Sequence, residues 1–270
     1  MKRTFLLGLA LTIQAFAQTV NFELHDDYLI VAKCSIGGLQ NLTAVVDTGV
    51  TETAIDTRLV KRLGLSTASD RATAGVHNLR VQAVAIPEIV FGPLRPESLA
   101  GIAIDLSALS HQFGVHADVL IGMDLLRQQS FLIDYKARQI KFGPVPHLSH
   151  SAPLVSAERL LLVQALVGKK LLRLQVDTGF NAILIYGGRV QSFQDRQMNS
   201  QSESFGQRSN AQPASLPHLQ IGNWSGTQVP AAVTDDEPSG VVGFEGLLGP
   251  TAIGVRKFGI DFDQLVIGWE

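Results

Sequence analysis

The feature that most constrains the fold of this chain is a duplication. Val46-Asp47-Thr48-Gly49 returns as Val176-Asp177-Thr178-Gly179, 130 positions further on. The same offset carries Ile86-Pro87-Glu88-Ile89-Val90-Phe91-Gly92 onto Leu216-Pro217-His218-Leu219-Gln220-Ile221-Gly222. Val119-Leu120-Ile121-Gly122 matches Gly246-Leu247-Leu248-Gly249, and Phe131-Leu132-Ile133-Asp134-Tyr135 matches Phe258-Gly259-Ile260-Asp261-Phe262, both 127 positions on. Four blocks in one order, with a single contraction between them, mean that a unit of about 120 residues is present twice.

Each unit reads mainly as strand. Tyr28 to Ser35, Thr43 to Val46, Leu79 to Ile86 and Ser130 to Asp134 are short runs rich in branched residues, punctuated by Gly and Pro. One helix is predicted in the first copy, capped by Asp56 or Thr57, with Leu59, Val60 and Leu63 on its apolar face and Gly64 at its end. A second short helix is predicted after Gly122. The expected fold is therefore all-β with few short helices, in two lobes. The boundaries predicted are a first lobe over 18–145, a Pro-interrupted linker over 146–156 and a second lobe over 157–270.

Hydrophobic residues make up 46% of the chain and charged residues 17%, which excludes a disordered chain. Net charge is −2, and no basic stripe or aromatic-basic cluster points to a nucleic-acid partner. Lys2 and Arg3, the apolar run Phe5 to Ile13 and the small-x-small Ala15-Phe16-Ala17 read as a signal peptide over 1–17. An exported, periplasmic or extracellular protein is expected, with no integral membrane segment after cleavage. Cys34 is the single cysteine, so no disulfide can form within the chain. His147 and His150 stand three apart without further ligands, and neither a metal nor another cofactor is expected. There is no His-Glu-x-x-His cluster and no Gly-x-Ser-x-Gly elbow, which disfavours a zinc or a serine hydrolase.

One Asp-Thr-Gly is weak evidence, arising by chance in on the order of one chain of this length in twenty. Two copies, each behind an apolar strand in a homologous unit, are strong evidence. The strand delivers the Asp to the lobe interface, Gly permits a tight turn there, and Thr can hydrogen-bond to the partner loop. Two carboxyl groups brought together this way cannot both ionise easily, and they titrate as a coupled pair.

These motifs resemble the pepsin and retropepsin superfamily of aspartic peptidases, in particular small bacterial retropepsin-like members, over about residues 24 to 270. The closed, barrel-like form of the two lobes is implied by this resemblance. The resemblance implies that Asp47 and Asp177 are the catalytic pair of an aspartic endopeptidase acting on polypeptide substrates. It implies that Thr48 and Thr178 exchange reciprocal hydrogen bonds and that Gly49 and Gly179 let the loops approach the carboxylates. Ile121-Gly122 and Leu248-Gly249 stand where the family's second loop element belongs. Flap hairpins are expected around Gly75, Val76 and His77 in the first lobe and around Phe205 and Gly206 in the second. One chain supplies both aspartates, so dimerisation is not required.

Two departures matter. After Asp-Thr-Gly, pepsins usually carry Ser and retropepsins Ala, whereas this chain has Val50 and Phe180. Neither can donate a hydrogen bond to an ionised Asp, so the pair's pKa is expected to rise and the pH optimum to be mildly acidic to neutral. Phe180 is also bulky and is expected to narrow the cleft or distort the second loop. The competing reading is a catalytically inactive envelope binding module that retains the bilobal fold.

Overall fold

The computed structural model describes residues 19–72, 80–156, 160–187, 202–204, 207–209, 211–234 and 243–270. The signal segment and the flap residues Gly75, Val76, His77, Phe205 and Gly206 lie outside them. The first unit runs β1 (Thr19–His25), β2 (Leu29–Ile36), β3 (Leu39–Val46), β4 (Ala54–Asp56), α1 (Thr57–Leu63), β5 (Thr67–Ala72), β6 (Arg80–Pro87), β7 (Ile89–Val90), β8 (Ser98–Ile104), α2 (Ser107–Phe113), β9 (Val119–Ile121), α3 (Met123–Leu126), β10 (Phe131–Asp134) and β11 (Gln139–Phe142). The second runs β12 (His150–Ser156), β13 (Leu162–Val167), β14 (Lys170–Val176), β15 (Ile183–Tyr186), β16 (Ser202–Ser204), β17 (Gln207–Ser209), β18 (Ala211–Ile221), β19 (Trp224–Thr234), β20 (Gly246–Leu248), a 3-10 turn (Pro250–Ile253), β21 (Lys257–Asp261) and β22 (Val266–Trp269).

The predicted duplication is a duplication of topology. In the first unit β2 and β3 form a hairpin, β3 lies parallel to β9 with Val46 opposite Ile121, and β4 lies parallel to β8 with Ala54 opposite Ile102. In the second, β13 and β14 form the hairpin, Val176 lies opposite Leu248, and Leu184 lies opposite Ala232. Each partner sits at the offset read from the sequence. The β2–β3 turn needs Gly37 and Gly38, both at positive φ (54° and 84°), because a two-residue hairpin that matches strand twist takes the left-handed region at both positions. The fold is mainly β, as the periodicity predicts, and includes a closed β-barrel.

The two units share one sheet. β10 pairs antiparallel with β21, Phe131 opposite Ile260 and Ile133 opposite Phe258, so the pseudo-twofold axis passes between these strands. Outward from it lie β11 and β1 on one side and β22 and β12 on the other. One large core runs through both units, with Phe91, Phe131, Phe142 and Phe258 at most 1% exposed. Two smaller apolar clusters stand apart from it. One contains Tyr28, Val45 and Leu120 with Val50 against it, and the other contains Leu162, Leu184, Tyr186 and Phe244 with Phe180 against it.

The linker expected over 146–156 is shorter than predicted. His150–Ser156 is β12, paired with β22, and it occupies the place that β1 has in the first unit. Pro153 suggests a break in the sequence, but it sits in a strand whose alternate residues Ala152 and Leu154 are buried. A proline costs one ladder donor and is tolerated near sheet edges. The predicted helices form as α1 and α3. Asp56 caps α1 through the Arg58 amide at 2.8 Å, and Gly64 ends it at φ 64°. Helix α2 was not predicted.

Candidate active site

Strand β3 ends at Val46 and β14 at Val176, and each hands over directly to its Asp-Thr-Gly loop. The loop is anchored from behind by the second element of its own unit. The Asp47 amide donates to the Ile121 carbonyl at 3.0 Å, and the Asp177 amide donates to the Leu248 carbonyl at 3.0 Å. The Met123 amide in turn donates to the Val50 carbonyl, and the Gly249 amide to the Ala182 carbonyl. Both apolar-Gly blocks therefore stand where the sequence pattern puts them. A side chain at Gly249 would run into the Phe180 carbonyl, and one at Gly122 into the Glu52 backbone, so neither position admits a Cβ without movement.

The two loops lock across the lobe interface. The Thr48 amide donates to Thr178 Oγ1 at 3.1 Å, and the Thr178 amide donates to Thr48 Oγ1 at 3.0 Å. Each hydroxyl then donates to the far strand, Thr48 Oγ1 to the Val176 carbonyl at 2.9 Å and Thr178 Oγ1 to the Val46 carbonyl at 3.2 Å. Both threonines are buried, and all four polar groups are satisfied. A hydroxyl serves here because it can accept and donate at once, which no apolar isostere can do.

The lock sets the carboxyl groups side by side. The Gly49 amide donates to Asp47 Oδ1 at 2.7 Å, and the Gly179 amide donates to Asp177 Oδ1 at 2.8 Å. Each glycine also lies against the opposite carboxyl group, with a Cβ on Gly179 only 2.6 Å from Asp47 Oδ2 and one on Gly49 inside the Asp177 carboxyl. Asp47 is buried and Asp177 partly exposed.

The two acids differ in their proton affinity. Burial pushes Asp177 well above the usual carboxylate range, and the Asp47 charge and the hydrogen bond shared with Asp47 push it the same way. Burial also raises Asp47, but the shared hydrogen bond and the Gly49 and Gly179 amides oppose the rise. Both acids are thus pushed toward the protonated form, Asp177 the more strongly. Two oxyanions in contact in a low-dielectric site repel each other, so one proton between them is the favoured state.

Val50 and Phe180 bring no donor to either carboxyl group. Each is partly exposed and turns into the smaller apolar cluster of its own unit. The second loop keeps the same hydrogen bonds as the first, so Phe180 leaves its geometry intact. Tyr28, in the first of these clusters, makes an edge contact with Phe113 at 6.1 Å between ring centroids. Its hydroxyl pKa is pushed up to about 12, by burial first and then by the charges of Asp26, Asp177 and Asp47.

β5 and β6 form an antiparallel hairpin in the first unit, with Ala72 opposite Arg80, and Gly75, Val76 and His77 fall in the segment it encloses. β16 and β17 pair antiparallel as a small separate sheet in the second unit, with Ser204 opposite Gln207. Asp134 and Asp261, a repeated acidic pair, serve turns by accepting from the amides of Ala137 and of Asp263 and Gln264. Among the described residues no group of three or more His, Cys, Asp or Glu could hold a metal ion. Cys34 is buried, and burial pushes its thiol up to about 12, away from nucleophilic use.

Gln175 was not singled out in the sequence. It is buried, and its Nε2 donates to the Gly49 carbonyl of the other lobe at 2.7 Å. The signal available was its place two residues before Asp177, on the same face of the strand, where the first copy has Val45.

Two lobes of one topology, joined by a shared sheet and meeting at paired Asp-Thr-Gly loops, are the arrangement that the resemblance to the pepsin/retropepsin superfamily implies. Residues 32–125, from β2 into α3, match a family model described as aspartyl protease, and they include the Asp47 loop and Ile121-Gly122. Among solved structures the chain is similar to a retropepsin-like aspartic protease from Rickettsia conorii, with 17% identity over 46% of this chain and 87% of that one, at a TM-score of 0.34. No curated protein matches the chain at a significant level.

Proposed function

We propose that the protein is an aspartic endopeptidase in which Asp47 and Asp177 act as one acid–base pair. The observation that carries this reading is the meeting of two carboxyl groups at the lobe interface, each held by the glycine amide of its own loop and both set in place by the reciprocal threonine bonds. A binding module has no use for a buried pair whose close approach costs stability, whereas amide hydrolysis needs both functions at once.

In the proposed reaction a water between the carboxyl groups gives a proton to the Asp47 carboxylate as its oxygen attacks the scissile carbonyl carbon. Asp177 gives its proton to the carbonyl oxygen, and the product of this step is a neutral tetrahedral diol. Asp47 then returns a proton to the amide nitrogen, and Asp177 takes one back from a diol hydroxyl as the C–N bond breaks. The pair ends as it began, with one proton, and water has been consumed. Substrate is an extended polypeptide segment lying between the lobes, flanked by the apolar clusters behind Val50 and Phe180. The chain is exported by way of its N-terminal segment and works outside the cytoplasm.

The test uses the protein lacking residues 1–17 on a diverse peptide library from about pH 3 to 8. Cleavage that is stopped by a hydroxyl-bearing mimic of the tetrahedral diol supports the reading. A folded protein that cleaves nothing and binds the mimic no better than an ordinary peptide contradicts it, and favours the binding module.

A further inference from the structure

The hydrogen bonds that lock the two loops to each other and to their own carboxyl groups come in symmetry-related pairs, but the one made by Gln175 does not. Thr48 and Thr178 exchange equivalent bonds, Gly49 and Gly179 bind their own carboxyl groups equivalently, and the strands behind them are anchored equivalently. Gln175 breaks the pattern. Its carboxamide crosses the interface to the Gly49 carbonyl at 2.7 Å, and the residue at the matching place in the first unit is Val45, which cannot donate to Gly179. The equivalence of the two positions is fixed by register, since Val45 lies opposite Leu120 on β9 and Gln175 opposite Leu247 on β20.

We infer that Gln175 is a positioning residue that makes the two aspartates unequal, by fixing Gly49 so that its amide serves Asp47 alone. The inference rests on the peptidase reading only for its kinetic consequence. Gly49 is held at both ends, its carbonyl by Gln175 and its N–H on Asp47 Oδ1. Gly179 has no such hold from position 45, and its N–H donates to Asp177 Oδ1 without a fixed carbonyl behind it. The amide that binds Asp47 is thus held in place more firmly than the one that binds Asp177, which favours Asp47 as the anion. Gln175 is uncharged and only 4% exposed, so it contributes a fixed dipole rather than a titrating group. The other titratable groups that feel the pair are Tyr28 and Tyr135, both with pKa values raised by burial and both neutral throughout the acid range.

Two substitutions separate positioning from packing. Gln175→Met keeps the volume and removes the donor. Gln175→Glu can restore the donor while its carboxyl is protonated, as burial beside other acids favours. The first readout is carboxyl 13C NMR titration of the full mature chain, which needs no substrate. The inference expects Asp47 to ionise well before Asp177 in the unsubstituted chain, the two to draw together in Gln175→Met, and the separation to return in Gln175→Glu at acidic pH. On a cleaved peptide, kcat should fall about tenfold in Gln175→Met with KM little changed, and the acid limb of the pH profile should move to higher pH. Titrations that stay as far apart in Gln175→Met as in the unsubstituted chain overturn the inference. An unsubstituted chain that cleaves no peptide yet shows the titration differences contradicts the peptidase reading and leaves the role of Gln175 standing.

Discussion

Asp47 and Asp177 are both raised above the aspartate value of 3.8, Asp177 the more strongly. As pH rises from that value, the unfolded chain releases protons that the folded chain still holds, so stability falls through this window. Asp177→Asn keeps the shape and a donor to Asp47 while removing the titration. Its melting temperature relative to the unsubstituted chain should therefore increase between pH 4 and pH 7, and calorimetry at the two pH values checks this. The threonine lock behaves differently. Thr178→Val removes the acceptor for the Thr48 amide and the donor to the Val46 carbonyl, both buried. A loss of about 1–3 kcal/mol is expected in urea unfolding, because an orphaned buried group keeps its desolvation penalty. The absence of donors at Val50 and Phe180 leaves the raised proton affinity unopposed from that side. Activity should accordingly peak at mildly acidic to neutral pH, and a rate profile that peaks below about pH 3 would count against this.

At the scale of elements, Gly249 shows how tightly the second loop element is fitted. Gly249→Ala drives a methyl group into the Phe180 carbonyl and to 3.0 Å from the Ala182 amide. This should cost about 1–3 kcal/mol in urea unfolding and lower activity with it, since the same backbone holds the Asp177 loop. The strands, both loops and helices α1 and α3 were legible because repeated motifs, alternation and capping residues act over a few neighbours. Helix α2 was not legible, because much of what fixes its start is distant in sequence. Asp56 accepts from the Leu106 amide at 3.0 Å as well as capping α1, a bond across 50 residues that no local pattern reveals. β12 was hidden because three prolines nearby read as a linker, while its pairing partner β22 lies more than 100 positions away. Gln175 escaped notice for the same reason, since its meaning lies in what it touches across the interface.

At the scale of the whole molecule, one chain has taken over what two identical subunits could do. β10 carries Phe131-Leu132-Ile133-Asp134 against Phe258-Gly259-Ile260-Asp261 of β21, in a register symmetric about their midpoint. Residues 19–145 alone would leave β10 paired to β11 on one side and with an open apolar edge on the other, and such an edge recruits a partner. The first lobe expressed alone should therefore sediment as a dimer or larger species, whereas a monomer would mean that the shared sheet is not what joins the lobes. The duplication has also let the halves diverge, so that Gln175 stands where the first unit has Val45 and Phe180 where it has Val50. The most direct test of the central claim compares the mature chain with Asp47→Asn and Asp177→Asn on one cleaved peptide. The account predicts that each single substitution lowers kcat by about 10²–10⁴-fold in a protein that remains folded, because neither acid can do the other's work. Cleavage that survives either substitution at near the unsubstituted rate would contradict it.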